Sequence, residues 1–226
     1  MFLDKNPILY AGLFQVIKRG TAKILEETEE GIFLQDTVGG AYMMASGHPD
    51  TDIRWLKKHE ASDYHLFSVF HLETAEFIKE RYGLSGTLEC FQAAFLSDEM
   101  PAMDGRIGIR EATEDDIQMI LEHYDRLEDW ELKKIIERKE LFIGVEKSEI
   151  GFVGMHLEGS IGLLEVFPEY RRKGYGVELE KFMVSHILEK KLIPFGQVET
   201  DNEKSLMLQK KLGMTISGEK VYWLFG

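Results

Sequence analysis

The chain lacks the raw material for several common chemistries. It has a single cysteine, Cys90, in 226 residues. One cysteine cannot form an internal disulfide, and in the strand-like run from Leu88 to Phe95 it reads as a small buried apolar residue. That usage fits a reducing compartment, so a cytoplasmic location is expected. The seven histidines are scattered, without the His-x-x-x-His or Cys-x-x-Cys spacing of a metal site, and no metal is expected. No apolar run approaches the ~20 residues that a membrane span needs. Nor does the N-terminus show a basic region followed by an apolar run and a small-residue cleavage site, so neither membrane nor secretory signal is expected. Positive charge is also scarce. Against 40 Asp and Glu stand 27 Lys and Arg, a net charge of −13, which argues against nucleic acid as a partner.

What is present is a well-patterned soluble sequence, long enough for one large domain or two small ones. The segment Ser97–Gly105 gathers turn formers, charges and a proline between two regular stretches, which suggests lobes at 1–103 and 104–226. After it, Ile107–Arg110 reads as a strand, and Thr113 caps a helix with acids in its first turn. A second helix spans Asp129–Lys139, with Trp130, Leu132, Ile135 and Ile136 on its apolar face. Strand patterns follow at Leu141–Val145, Ile150–His156 and Ile161–Phe167, separated by short turns. Helical spacing returns over Gly174–Glu189, then a strand at Phe195–Glu199, a helix over Asn202–Leu212 and a strand-rich tail. The first hundred residues give a helix near Asn6–Lys18, three short strands, a helix near Asp52–Lys58, a strand at His65–Phe70, a helix at Glu73–Arg81 and a strand at Thr87–Leu96. That order loosely repeats the second half without its glycine-rich turn.

In so acidic a chain a basic cluster stands out, and three basic residues in a row occur only at Arg171-Arg172-Lys173. They continue into Gly174-Tyr175-Gly176, where a strand ends and a helix begins. Glycines there let backbone N–H groups converge on a ligand, and the helix N-terminus adds about half a positive charge. Arg171 and Lys173 add charge-assisted donors. A phosphate group is the expected guest. The segment has neither the Walker pattern nor the third glycine of a dinucleotide fingerprint.

The Arg-x-x-Gly-x-Gly run from Arg171 to Gly176, led into by Pro168-Glu169-Tyr170, resembles the signature of the GNAT N-acetyltransferase superfamily. Asn202 through Gly213-Met214 is similar to that superfamily's Asn-x-x-Ala/Ser segment ending in Leu-Gly-Phe, and the element order from Ile107 is the GNAT order. The resemblance covers roughly residues 106–226. It implies an α/β (α+β) GNAT fold with a mixed, mostly antiparallel sheet. The smaller α/β lobe before it would be a degenerate copy, a layout resembling the glycine N-acyltransferase-like branch.

By that resemblance, acetyl-CoA or another acyl-CoA is the co-substrate, with its pyrophosphate over Arg171 to Gly176 (Arg171, Arg172, Lys173, Gly174, Tyr175, Gly176). Its pantetheine arm is expected along Val166 and Phe167, contacting Asn202 and Ser205; Asn202 reads equally as a helix cap. The implied reaction is direct attack by a small-molecule primary amine on the thioester, and a homodimer is left open. An alkylammonium must first lose a proton, at a cost of about 4 kcal/mol near neutrality, so a general base is expected. Ser160 stands where many members have a glutamate base, which leaves Glu165, Glu158 and His156 as candidates, Glu165 foremost. Gln209 stands where many members have a tyrosine acid; a thiol with pKa near ~8.5 still leaves, and Tyr222 is a substitute. These departures keep a second reading alive, a non-catalytic acyl-CoA-binding or regulatory module.

Overall fold

The computed structural model describes residues 1–60, 64–124 and 127–226. The first half runs α1 (Ala11–Lys18), β1 (Ala22–Thr28), β2 (Gly31–Asp36), β3 (Tyr42–Ser46), α2 (Pro49–Lys58), β4 (Leu66–Val69), α3 (Leu72–Tyr82) and β5 (Gly86–Ala94). The second runs β6 (Gly108–Glu111), α4 (Ile117–His123), α5 (Asp129–Glu137), β7 (Leu141–Val145), β8 (Glu149–Met155) and β9 (Ile161–Val166). It closes with α6 (Tyr175–Glu189), β10 (Phe195–Glu199), α7 (Glu203–Lys211) and β11 (Thr215–Phe225).

Two local details differ from the sequence pattern. The first helix starts at Ala11 rather than Asn6. Pro7 disfavours helical geometry in the residue before it, and Asn6 sits at φ −150°, ψ 78°. Trp130 is 55% exposed and does not join the buried face of α5, which Leu132, Ile135 and Ile136 make alone. Its ring instead receives the Lys134 ammonium at 5.8 Å.

The strands form one sheet in the order β1-β2-β3-β4-β11-β5-β10-β9-β8-β7-β6. Pairing is antiparallel except at β3–β4 and β9–β10. The halves exchange their final strands: β5 lies against β10, and β11 lies between β4 and β5. About the β5–β11 seam the order repeats, so that the parallel pair β3–β4 on one side answers β9–β10 on the other.

Period-2 alternation sends side chains to both faces, and helices cover each. In the first half α1 packs Leu13 and Val16 with Ile32, Leu34 and Trp223, while α2 and α3 pack Trp55, Leu56 and Ile78 with Phe33, Phe67 and Leu224. In the second, α6 packs Leu179, Met183 and Ile187 with Phe142 and Val153, while α4 and α5 pack Ile120, Leu132 and Ile135 with Ile143 and Phe152. A buried ion pair crosses between the halves: Arg19 donates to both oxygens of Glu140 at 2.8 Å.

Candidate functional site

The sheet opens between β9 and β10. β9 and β10 are parallel neighbours, yet they pair only at Ile161–Gly196 and then part. On its other edge β9 carries a bulge, since Phe152 faces Glu165 while Gly154 faces Gly162. The extra residue is absorbed with Leu163 at φ +45°, a left-handed geometry costly for a branched side chain. Bulges re-aim backbone groups, and this one lies on the wall of the opening.

Two hollows meet there. A cleft of about 370 Å³ is walled by Leu163, Leu164 and Glu165 of β9, Val198 of β10, Glu180 of α6 and the α7 side chains Ser205 and Gln209. A cavity of about 470 Å³ is walled by Leu66, Leu88, Trp223 and Phe225 on one side and by Glu131, His156, Glu158 and Ser160 on the other. Tyr124, Ile161, Gly162, Gln197 and Glu199 line both, so the opening is a passage through the sheet. Gln197 accepts a bond from Trp223 Nε1 at 2.6 Å, while its own Nε2 is buried without a partner. An orphaned donor in a passage is what an incoming acceptor group would satisfy.

Beyond the Glu165 end of the cleft the chain makes a 3-10 turn at Pro168–Tyr170 and enters α6. Arg172 and Gly174 take left-handed φ values of 63° and 87°, which folds the backbone back on itself before the helix starts. Arg171, Arg172, Lys173 and Gly174 are exposed, with Tyr175 buried beneath them and Gly176 half-buried. The Tyr170 hydroxyl and Ser148 Oγ, 2.6 Å apart, tie the turn to the β7–β8 hairpin. The sequence reading missed Arg106, which reaches the same loop from the connection between the halves. Its guanidinium donates to the Lys173 carbonyl at 3.1 Å and lies 5.9 Å over the Tyr175 ring. Asp104 holds it in place, and Glu178 accepts from the Asp104 amide at 2.8 Å.

A parallel pair that opens, a bulged strand on one side and a basic left-handed loop capping the following helix form one constellation. A family model described as FR47-like protein matches residues 151–224. Among solved structures, a Drosophila protein is similar at 15% identity, over 100% of this chain and 93% of its own, with a TM-score of 0.73. The chain has the GNAT fold. A GNAT-family acetyltransferase from Colwellia psychrerythraea matches over 96% of this chain and 97% of its own, at 13% identity and a TM-score of 0.53. A GCN5-related N-acetyltransferase-like protein from Streptococcus suis matches over 99% and 98%, at 13% identity and 0.55. No curated protein matches the chain.

Within the GNAT fold the candidates divide between the two hollows. Asn202, Ser205, Gln209 and Glu165 line the cleft. Asn202 Oδ1 accepts from the Ser205 amide at 3.1 Å, the expected helix cap, which still leaves its amide N–H groups available. Val166 and Phe167 lie just past the cleft; Phe167 is buried against Phe152 and His123, and its amide bonds to Ile150 at 2.9 Å. Glu165 is engaged by Arg171 at 2.6 Å. His156, Glu158 and Ser160 line the cavity instead, with the Ser160 hydroxyl donating to Glu158. Gly162 makes room for His156: a Cβ there would fall 2.2 Å from His156 Nε2.

Tyr222 does not reach either hollow. On β11 it alternates with Trp223 and Phe225, which line the cavity, and so packs on the opposite face with the α2–α3 core. Among the described residues no group of three or more His, Cys, Asp or Glu could hold a metal ion, and no helix is long and apolar enough to cross a membrane.

Proposed function

We propose that the protein is an N-acyltransferase that moves an acyl group, acetyl in the simplest case, from acyl-CoA to a primary amine of a small molecule by direct attack. The observation that carries the reading is the passage between β9 and β10. It joins a cleft that reaches Glu165, the residue Arg171 engages, to a separate cavity on the other face of the sheet. Such a passage lets a long donor and a small acceptor meet from opposite sides.

In this reading the pyrophosphate sits on the loop, held by backbone N–H groups at the start of α6 and by Arg171, Lys173 and Arg106. The pantetheine arm follows the cleft past Asn202 and Ser205. The thioester lies at the passage, where Gln197 Nε2 supplies a donor for the charge that develops on its oxygen.

The acceptor occupies the cavity. Leu66, Leu88, Trp223 and Phe225 suit an apolar body, while Glu131 and Glu158 suit an amine end. We assign the base to His156, which lines this cavity and lies against Gly162, rather than to Glu165, whose carboxylate Arg171 already engages. Imidazole is the side chain best matched to proton transfer near neutral pH.

Thiol release from acetyl-CoA, followed over a panel of arylalkylamines, polyamines and amino acids, tests the reading. Turnover of an amine that is lost in His156→Gln supports it. Saturable acetyl-CoA binding with no turnover of any amine would favour the non-catalytic acyl-CoA-binding module instead.

A further inference from the structure

Glu180 lies on the face of α6 turned toward α7 and is 2% exposed. Gln209 of α7, itself buried, donates from Nε2 to Glu180 Oε1. The remaining two oxygens of the pair, Glu180 Oε2 and Gln209 Oε1, are both buried and both without a hydrogen-bond partner. Two orphaned acceptors on two side chains already joined is an arrangement that one proton resolves, because a hydrogen on Oε2 turns that oxygen into a donor. Burial acts in the same direction: it pushes the Glu180 carboxyl up to about 7, against the opposing pull of the Gln209 bond.

A buried acid with nothing to do is a poor use of a helix interface, where an apolar residue would pack at no electrostatic cost. This one is not sealed away from chemistry. Glu180 and Gln209 line the cleft together with Ser205, Leu208 and the bulged segment of β9. Gln209 also stands where the resemblance places a tyrosine acid, and an amide has no proton to give a thiolate.

We propose that Glu180 is held as a neutral carboxylic acid in the cleft wall and supplies the proton to the thiolate that leaves on acyl transfer. The proposal rests on the acyl-transfer reading and adds a residue to it. In the step, the carbon–sulfur bond of the tetrahedral intermediate breaks and the sulfur takes the proton from Oε2. The charge left on the carboxylate is held by the Gln209 amide. The amine's own proton goes to the base on the other side of the passage, and both groups then re-equilibrate with solvent.

The test is the pH dependence of kcat for acetyl-CoA with an amine found in the panel, for wild type, Glu180→Gln and Gln209→Leu, beside acetyl-CoA affinity and Tm. Wild type should lose kcat on the alkaline side as Glu180 ionises. Glu180→Gln should bind acetyl-CoA normally, lack that limb and turn over about 10²-fold more slowly, the low end for a proton-transfer group because thiols leave readily. Gln209→Leu removes a donor that favours the ionised carboxyl, so its alkaline limb should move to higher pH, a change that loss of packing alone would not give. Should Glu180→Gln fail to fold, the Gln209→Leu profile decides. Wild-type kcat and profile in folded Glu180→Gln, or an unmoved limb in Gln209→Leu, overturns the proposal and leaves acyl transfer standing. Binding of acetyl-CoA by wild type with no turnover of any amine overturns both.

Discussion

Arg171 holds Glu165. Its guanidinium donates to Glu165 Oε1 at 2.6 Å and, through Nε, to the Val166 carbonyl at 2.8 Å, so the last turn of β9 is tied to the first residue of the basic loop. The sequence's foremost candidate for base and its first phosphate contact are therefore one ion pair. A phosphate arriving on the loop competes with a carboxylate for the same donors.

That competition separates the two residues experimentally. Arg171→Ala should weaken acetyl-CoA binding about 10–100-fold, the worth of one hydrogen bond to a charged group. Glu165→Gln should leave binding equal or tighter, since it frees the guanidinium, and should leave kcat nearly unchanged if His156 is the base. Titration calorimetry and steady-state kinetics on the two variants read both effects. A large loss of kcat in Glu165→Gln with binding intact would return the base to Glu165.

Gly162 offers a test of the passage itself. Its missing Cβ is the space that His156 Nε2 fills. Gly162→Ala should displace the imidazole, lowering kcat about 10-fold or more while acetyl-CoA affinity changes less, because the loop proposed to hold the pyrophosphate lies elsewhere. Equal loss of affinity and kcat would mean that the residue serves the donor rather than the acceptor side.

Glu180 makes a prediction that needs no substrate. Its carboxyl ordinarily titrates at 4.5 and is raised to about 7 in the fold. Between those values the folded protein holds a proton that the unfolded chain has released. Stability therefore falls as pH rises from about 4.5 to about 7 and is level above, by roughly 3 kcal/mol in total from this group. Glu180→Gln carries no such term, so its Tm should fall less than that of wild type across this window. Parallel Tm profiles for the two proteins would contradict a raised carboxyl.

Much of this was legible in the sequence because alternation and helical spacing report burial directly. Every strand from Ala22 to Phe225 and the start of α6 at the glycines lie where the pattern puts them. The exchange of β5 and β11 was not legible, since a period of two marks a strand but not its neighbour. The Leu163 bulge carries no glycine or asparagine to announce its positive φ. Arg106, between the boundary segment and the first strand after it, drew no notice because its nearness to Lys173 is tertiary. Glu180 was hidden for the same reason: a glutamate amid helical residues looks solvated until α7 is laid over it. Its partner Gln209 did stand out, but only as a departure from the tyrosine that the resemblance implies.

The Arg171–Gly176 loop and the passage beside it are proposed to receive an acyl-CoA. Calorimetric titration of the protein with acetyl-CoA tests this most directly, run beside an Arg171→Ala/Gly174→Pro double variant whose fold is checked by circular dichroism. Saturable 1:1 binding to wild type, lost in the folded variant, is the expected result. Absence of binding to well-folded wild type, or undiminished binding to the variant, would contradict it.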